Sequence, residues 1–109
     1  MEIIYNKLIR DRIPEIITAD SKVPITRVLS DEEYKLELEK KLMEEYNEVL
    51  EETGNKRIEE LADMYEVIKS LAEFEGSSIE KVVETANIKF KKRGGFDKKI
   101  FLEKVVTNE

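Results

Sequence analysis

The sequence predicts an all-α fold, a small helical bundle, and three observations carry that reading. Only two prolines and four glycines interrupt 109 residues. Charged residues make up 40% of the chain, a composition that suits solvated helix faces. Three long stretches place apolar residues at helical spacing, and each ends at a glycine. The length suits one domain, residues 1–109, with a modest core.

The elements follow in chain order. A short helix is expected around Asp11–Thr18, where Pro14 fits only the first turn. Val23-Pro24-Ile25-Thr26-Arg27-Val28-Leu29 is rich in β-branched residues and reads as a short strand-like segment. Ser30-Asp31-Glu32-Glu33 is a capping box that opens a long helix to about Thr53, ended by Gly54-Asn55. A second long helix spans about Lys56 to Glu75 and stops at Gly76. Ser77-x-x-Glu80 offers another capping box for a third helix to about Arg93, broken by Gly94-Gly95. The tail Asp97–Val106 is expected to be extended or loosely helical.

Composition excludes several chemistries. The chain has no cysteine and no histidine, so thiolate and imidazole sites, disulfides and Ser-His-Asp catalysis are out. Acid–base or metal chemistry must run on carboxylates. The net charge of −6 argues against coating a nucleic-acid polymer. No apolar run approaches the roughly 18 residues of a membrane span, and no signal peptide opens the chain, so a cytoplasmic protein is expected. The charge is divided: twelve acids against five bases over Asp31–Glu60, eight bases against three acids over Lys81–Lys104.

Two acidic motifs stand out, Glu44-Glu45-Tyr46-Asn47-Glu48 and Glu60-Leu61-Ala62-Asp63. Residues three apart lie on nearly one helical face, which pairs Glu45 with Glu48 and Glu60 with Asp63. On a helical wheel Glu45 falls inside the edge of an apolar arc formed by Leu38, Leu42, Tyr46 and Val49. Glu60 falls between Val67 and Leu71, and Asp63 beside Phe74. A carboxylate in an apolar sector is costly unless a cation or hydrogen bonds neutralise it. Two antiparallel helices would bring the pairs together into an all-oxygen site, the kind that selects Mg²⁺ or Mn²⁺. The apolar arc of the second helix is too wide for a one-sided surface helix. It implies a central position or a subunit interface, with Val67 and Phe74 as interface candidates. A homo-oligomer is therefore expected.

The basic end offers anion contacts. Lys89 and Arg93 are four apart on one helical face, Asn87 borders the stripe of Ile79, Val83, Ala86 and Phe90, and Gly94-Gly95 lets the chain turn closely past a ligand. Arg suits bidentate phosphate contact and Lys supplies a point charge. Near the N-terminus Lys7 and Arg10, clustered with Asp11 and Arg12, are further candidates for substrate phosphates.

Glu44-Glu45-x-x-Glu48, then Glu60-x-x-Asp63, then Asn87-x-Lys89-Phe90 resembles the MazG-like all-α NTP pyrophosphohydrolases. The opening Tyr5-Asn6-Lys7-Leu8-Ile9-Arg10-Asp11-Arg12-Ile13-Pro14-Glu15 and the closing Arg93-Gly94-Gly95-Phe96 are similar to a phosphoribosyl-ATP pyrophosphohydrolase-like branch. The resemblance implies Mg²⁺ bound by Glu45, Glu48, Glu60 and Asp63. It implies cleavage of a nucleoside triphosphate between the α and β phosphates, in a helical bundle assembled as a dimer or tetramer. A carboxylate such as Glu44 or Glu48 would orient the attacking water. Lys89 and Arg93, from the same or a facing subunit, would hold the phosphates. Two alternatives stand beside this: phosphoribosyl-ATP hydrolysis in histidine biosynthesis, and a catalytically silent helical interaction module.

Overall fold

A computed structural model describes residues 1–108. Its centre is an antiparallel hairpin of two helices, α2 (Asp31–Glu51) and α3 (Gly54–Phe74), preceded by a short α1 (Ile13–Ala19) and followed by α4 (Ile79–Arg93). No strand is present among the described residues.

Local chemistry sets the helix ends. The Ser30 side chain accepts from the Glu33 backbone N–H at 3.2 Å, and the Glu33 carboxylate accepts from the Ser30 N–H at 3.4 Å, completing the expected box. The Arg27 guanidinium adds a second anchor at 2.9 Å from Glu33. The turn between α2 and α3 is tied by Arg57, whose Nε donates to the Val49 and Glu52 carbonyls at 3.1 and 2.7 Å. These carbonyls at the C-terminal end of α2 have no continuing helix to pair with. At the end of α3, Gly76 takes φ +77°, the Ser77 N–H reaches the Ala72 carbonyl and the Gly76 N–H reaches that of Glu73. That Schellman closure needs a residue comfortable in the left-handed region. Pro14 sits in the first turn of α1, as expected.

Three expectations need correction. Val23–Leu29 adopts neither helix nor strand; a lone β-branched segment has no second strand to pair with here. The cap of α4 is Ser78, not Ser77, since Ser77 already serves the closure of α3; the Ser78 hydroxyl accepts from the Lys81 N–H at 3.2 Å. Val67 is buried inside the protomer, and Phe74 is half-buried with its ring 6.1 Å from that of Tyr34. Neither is therefore the exposed surface of α3, which is instead formed by Ile58, Leu61 and Tyr65.

The protomer core is thin. Leu38, Val67 and Ile79 are the buried apolar residues among those described. The helix α4 touches α3 but not α2, and every described residue from Glu80 onward is exposed. The result is an elongated shape, 70 × 33 × 24 Å, with a radius of gyration of 19.2 Å. A globule of this length would have a radius near 13 Å. The accessible surface, 10296 Å², exceeds by about 4,000 Å² the ~6,300 Å² expected of a folded monomer of this mass.

Candidate metal centre

The hairpin sets the acidic motifs against each other. Glu45 and Glu48 project from the second half of α2, and Glu60 and Asp63 from the first half of α3. One carboxylate oxygen from each of Glu45, Glu60 and Asp63 lies within 4.8 Å of the others. Glu48 stands outside that set, but its carboxylate adjoins both Glu45 and Glu60.

Burial makes the cluster unusual. Glu45 is 5% exposed, the one charged residue buried among the described residues. Glu45 Oε2 and Glu60 Oε2 are buried without a hydrogen-bond partner. Leaving such oxygens unpaired is expensive, and an ion, an ordered water or a proton relieves the cost. A set of hard oxygen donors with two unsatisfied buried atoms fits Mg²⁺ or Mn²⁺.

The electrostatics report the same crowding. The Glu45 carboxyl is pushed up to about 7, first by burial and then by the Glu48 carboxylate, with Lys41 opposing. Glu60 is raised as well, chiefly by hydrogen bonding to Glu48 and then by burial. Between the ordinary carboxyl value of 4.5 and about 7, the folded metal-free chain therefore holds more protons at Glu45 than the unfolded chain. The contribution of Glu45 to stability is therefore lost as pH rises through that window. Glu33 behaves oppositely: Arg27 and the Ser30 cap hold it down at about 2, so its contribution is lost only as pH falls from 4.5 towards that value. Urea unfolding in chelator should give a lower midpoint at pH 7.5 than at pH 5, and Mg²⁺ should restore more at the higher pH. A midpoint that rises between those two values would contradict this geometry.

Cations ring the cluster. The half-buried Lys41 lies 3.4 Å from Glu44 and 3.9 Å from Glu45. Sequence reasoning passed over it, although its i+3 and i+4 relation to those acids was a usable signal. The N-terminal residues also arrive: Arg10 Nη2 donates to Asp63 Oδ1 at 2.6 Å, and Lys7 Nζ is 3.8 Å from Glu44. By contrast Asn87, Lys89 and Arg93 sit on the exposed α4. Lys89 lines a hollow with Lys81 and Thr85, while Arg93 lines another of about 380 Å³ with Phe90, Gly95 and Phe96. None of the three makes an ion pair or hydrogen bond with the acidic cluster among the described residues.

Over 43 residues, 39% of this chain, the sequence is 51% identical to a protein of Mycolicibacterium smegmatis described only as uncharacterized. The match covers 44% of that relative's length. No family profile and no solved structure matches the chain.

Proposed function

We propose that this chain is a nucleotide pyrophosphohydrolase of the MazG-like kind, cleaving nucleoside triphosphates between the α and β phosphates with Mg²⁺, or Mn²⁺ in its place. The observation that carries the proposal is the convergence of Glu45, Glu60 and Asp63 with two unpartnered buried oxygens. A divalent ion held there would offset phosphate charge and polarise the scissile anhydride. The chain's own residues divide the remaining work. Glu45 from α2 and Glu60 and Asp63 from α3 bind the ion, and Glu48 completes the set named by the resemblance. Of the two carboxylates suited to orient water, Glu48 is the better placed. Glu44 already pairs with Lys41 and Lys7, whereas Glu48 has no cation partner among the described residues. A carboxylate free of ion pairing can give one oxygen to the ion and keep the other for a water.

Assembly belongs to the same reading. A surplus of about 4,000 Å² on one protomer leaves ample surface for a large homodimer interface, to which each partner contributes half of the buried area. The exposed α4 and tail are basic where α2 and the start of α3 are acidic, so two copies are complementary in charge. In a homodimer or tetramer, Lys89 and Arg93 of one copy would approach the phosphates held at the acidic cluster of another, with Asn87 orienting the substrate.

Product analysis tests the reaction. Incubation with Mg²⁺ and a panel of NTPs, dNTPs and phosphoribosyl-ATP should yield a monophosphate and pyrophosphate from at least one member. Release of orthophosphate alone, or no turnover of any member, would refute the assignment.

A further inference from the structure

The N-terminal segment holds two cations against the acidic cluster, and one of them engages the carboxylate of Asp63, a member of that cluster. Arg10 Nη2 donates to Asp63 Oδ1 at 2.6 Å, and Lys7 Nζ stands 3.8 Å from Glu44. The segment is anchored there. Leu8 and Ile9, between the two cations, are half-buried, and the Arg10 carbonyl accepts from the Ile13 N–H at 3.1 Å, joining it to the start of α1. The side chains themselves are loosely held: Arg10 is 57% exposed and Asp63 44% exposed. Solvent screens such a pair, so it exchanges readily. Independently of Arg10, the 5% exposed Glu45 of the same cluster has a buried oxygen without a partner, which a cation would satisfy and the arginine does not.

We propose that Arg10, with Lys7 beside it, occupies the acidic cluster in the free protein and transfers to the phosphates of the substrate when a divalent ion takes Asp63. The N-terminal segment is then part of the polyphosphate site. This rests on the metal reading given above. A dication and a guanidinium compete for one carboxylate, so binding of the ion loosens Arg10. The planar fork of a guanidinium matches phosphate oxygens. Arg10 is thus a competitor of the metal and a partner of the anion. A purely structural ion pair would be neither.

The test compares Arg10→Gln, Arg10→Lys and wild type by calorimetric titration, first with Mn²⁺ alone and then with inorganic tripolyphosphate on the Mn²⁺-saturated protein. Arg12→Gln serves as the control, because Arg12 pairs with Glu15. Arg10→Gln should bind Mn²⁺ about two- to fivefold more tightly, the scale of an exposed ion pair removed. It should bind tripolyphosphate about tenfold or more weakly, the scale of a charged hydrogen bond lost. Arg10→Lys should recover part of the anion affinity, and Arg12→Gln should match wild type. If Mn²⁺ binds all four proteins equally, or if tripolyphosphate affinity is unchanged in Arg10→Gln, the proposal is overturned while the metal site stands. Absence of Mn²⁺ binding to wild type would overturn both.

Discussion

Glu48→Gln will abolish turnover while leaving the fold intact. The carboxylate of Glu48 adjoins Glu45 and Glu60 and, after burial at Glu45 and ahead of burial at Glu60, makes both harder to ionise. The amide is nearly the same shape but accepts no proton from water. Loss of a positioned general base costs about 10²–10⁴-fold in rate. The metal-free variant should be at least as stable as wild type, because one repelling charge has left the cluster. Steady-state assays and urea unfolding on the same preparation separate the two effects. Wild-type turnover in Glu48→Gln would remove Glu48 from the mechanism. A variant that fails to fold would show that its role is structural.

In solution the chain will run as a dimer or larger, never as the 12.8 kDa protomer at micromolar concentration. The physical reason is the uncovered apolar surface. Val82, Val83, Ile88 and Phe90 of α4 are 40–62% exposed, and Phe96, Ile100, Phe101 and Leu102 of the tail are 72–97% exposed. Apolar patches of this extent on an isolated soluble chain are an aggregation hazard unless another surface covers them. Light scattering should return a mass at least twice that of the protomer. Val83→Asp with Phe90→Asp should shift it towards the protomer or into aggregates, since charges cannot be buried in such a contact. A clean protomer from the wild-type chain would refute assembly and leave α4 without a stated partner.

Much of the hairpin was legible in the sequence, because it depends on local signals. The Ser30–Glu33 box, the stop at Gly76 and the break at Gly94 are short-range chemistry, and each appears where the residues place it. Glu45 was legible for another reason: its position inside an apolar arc implied burial, and it is buried. What depended on distant partners was not legible. Val23–Leu29 has the composition of a strand but no neighbour to pair with. Val67 and Phe74 read as interface residues because a wheel shows how wide an arc is, not which part a neighbouring helix covers. Lys7 and Arg10 were candidates on type alone, and only the return of the N-terminal segment across α2 and α3 puts them at Glu44 and Asp63. The direction of α4, and with it the setting of Lys89 and Arg93, has no signature in helical periodicity.

The central claim is that Glu45, Glu60 and Asp63 hold a divalent ion, and Mg²⁺-dependent stability measures it most directly. Wild type should gain stability with Mg²⁺ by mass action, about 2.7 kcal/mol when the ion reaches a hundred times its dissociation constant. Glu45→Gln removes the buried charge, so without metal that variant should be at least as stable as wild type at pH 7.5. It should also lose most of the Mg²⁺ response. Asp63→Asn should lose the response too. Thermal unfolding of the three proteins with and without Mg²⁺ gives the answer in one experiment. A stabilised wild type beside two unresponsive variants is the predicted result; an equal response in all three, or none in wild type, would contradict it.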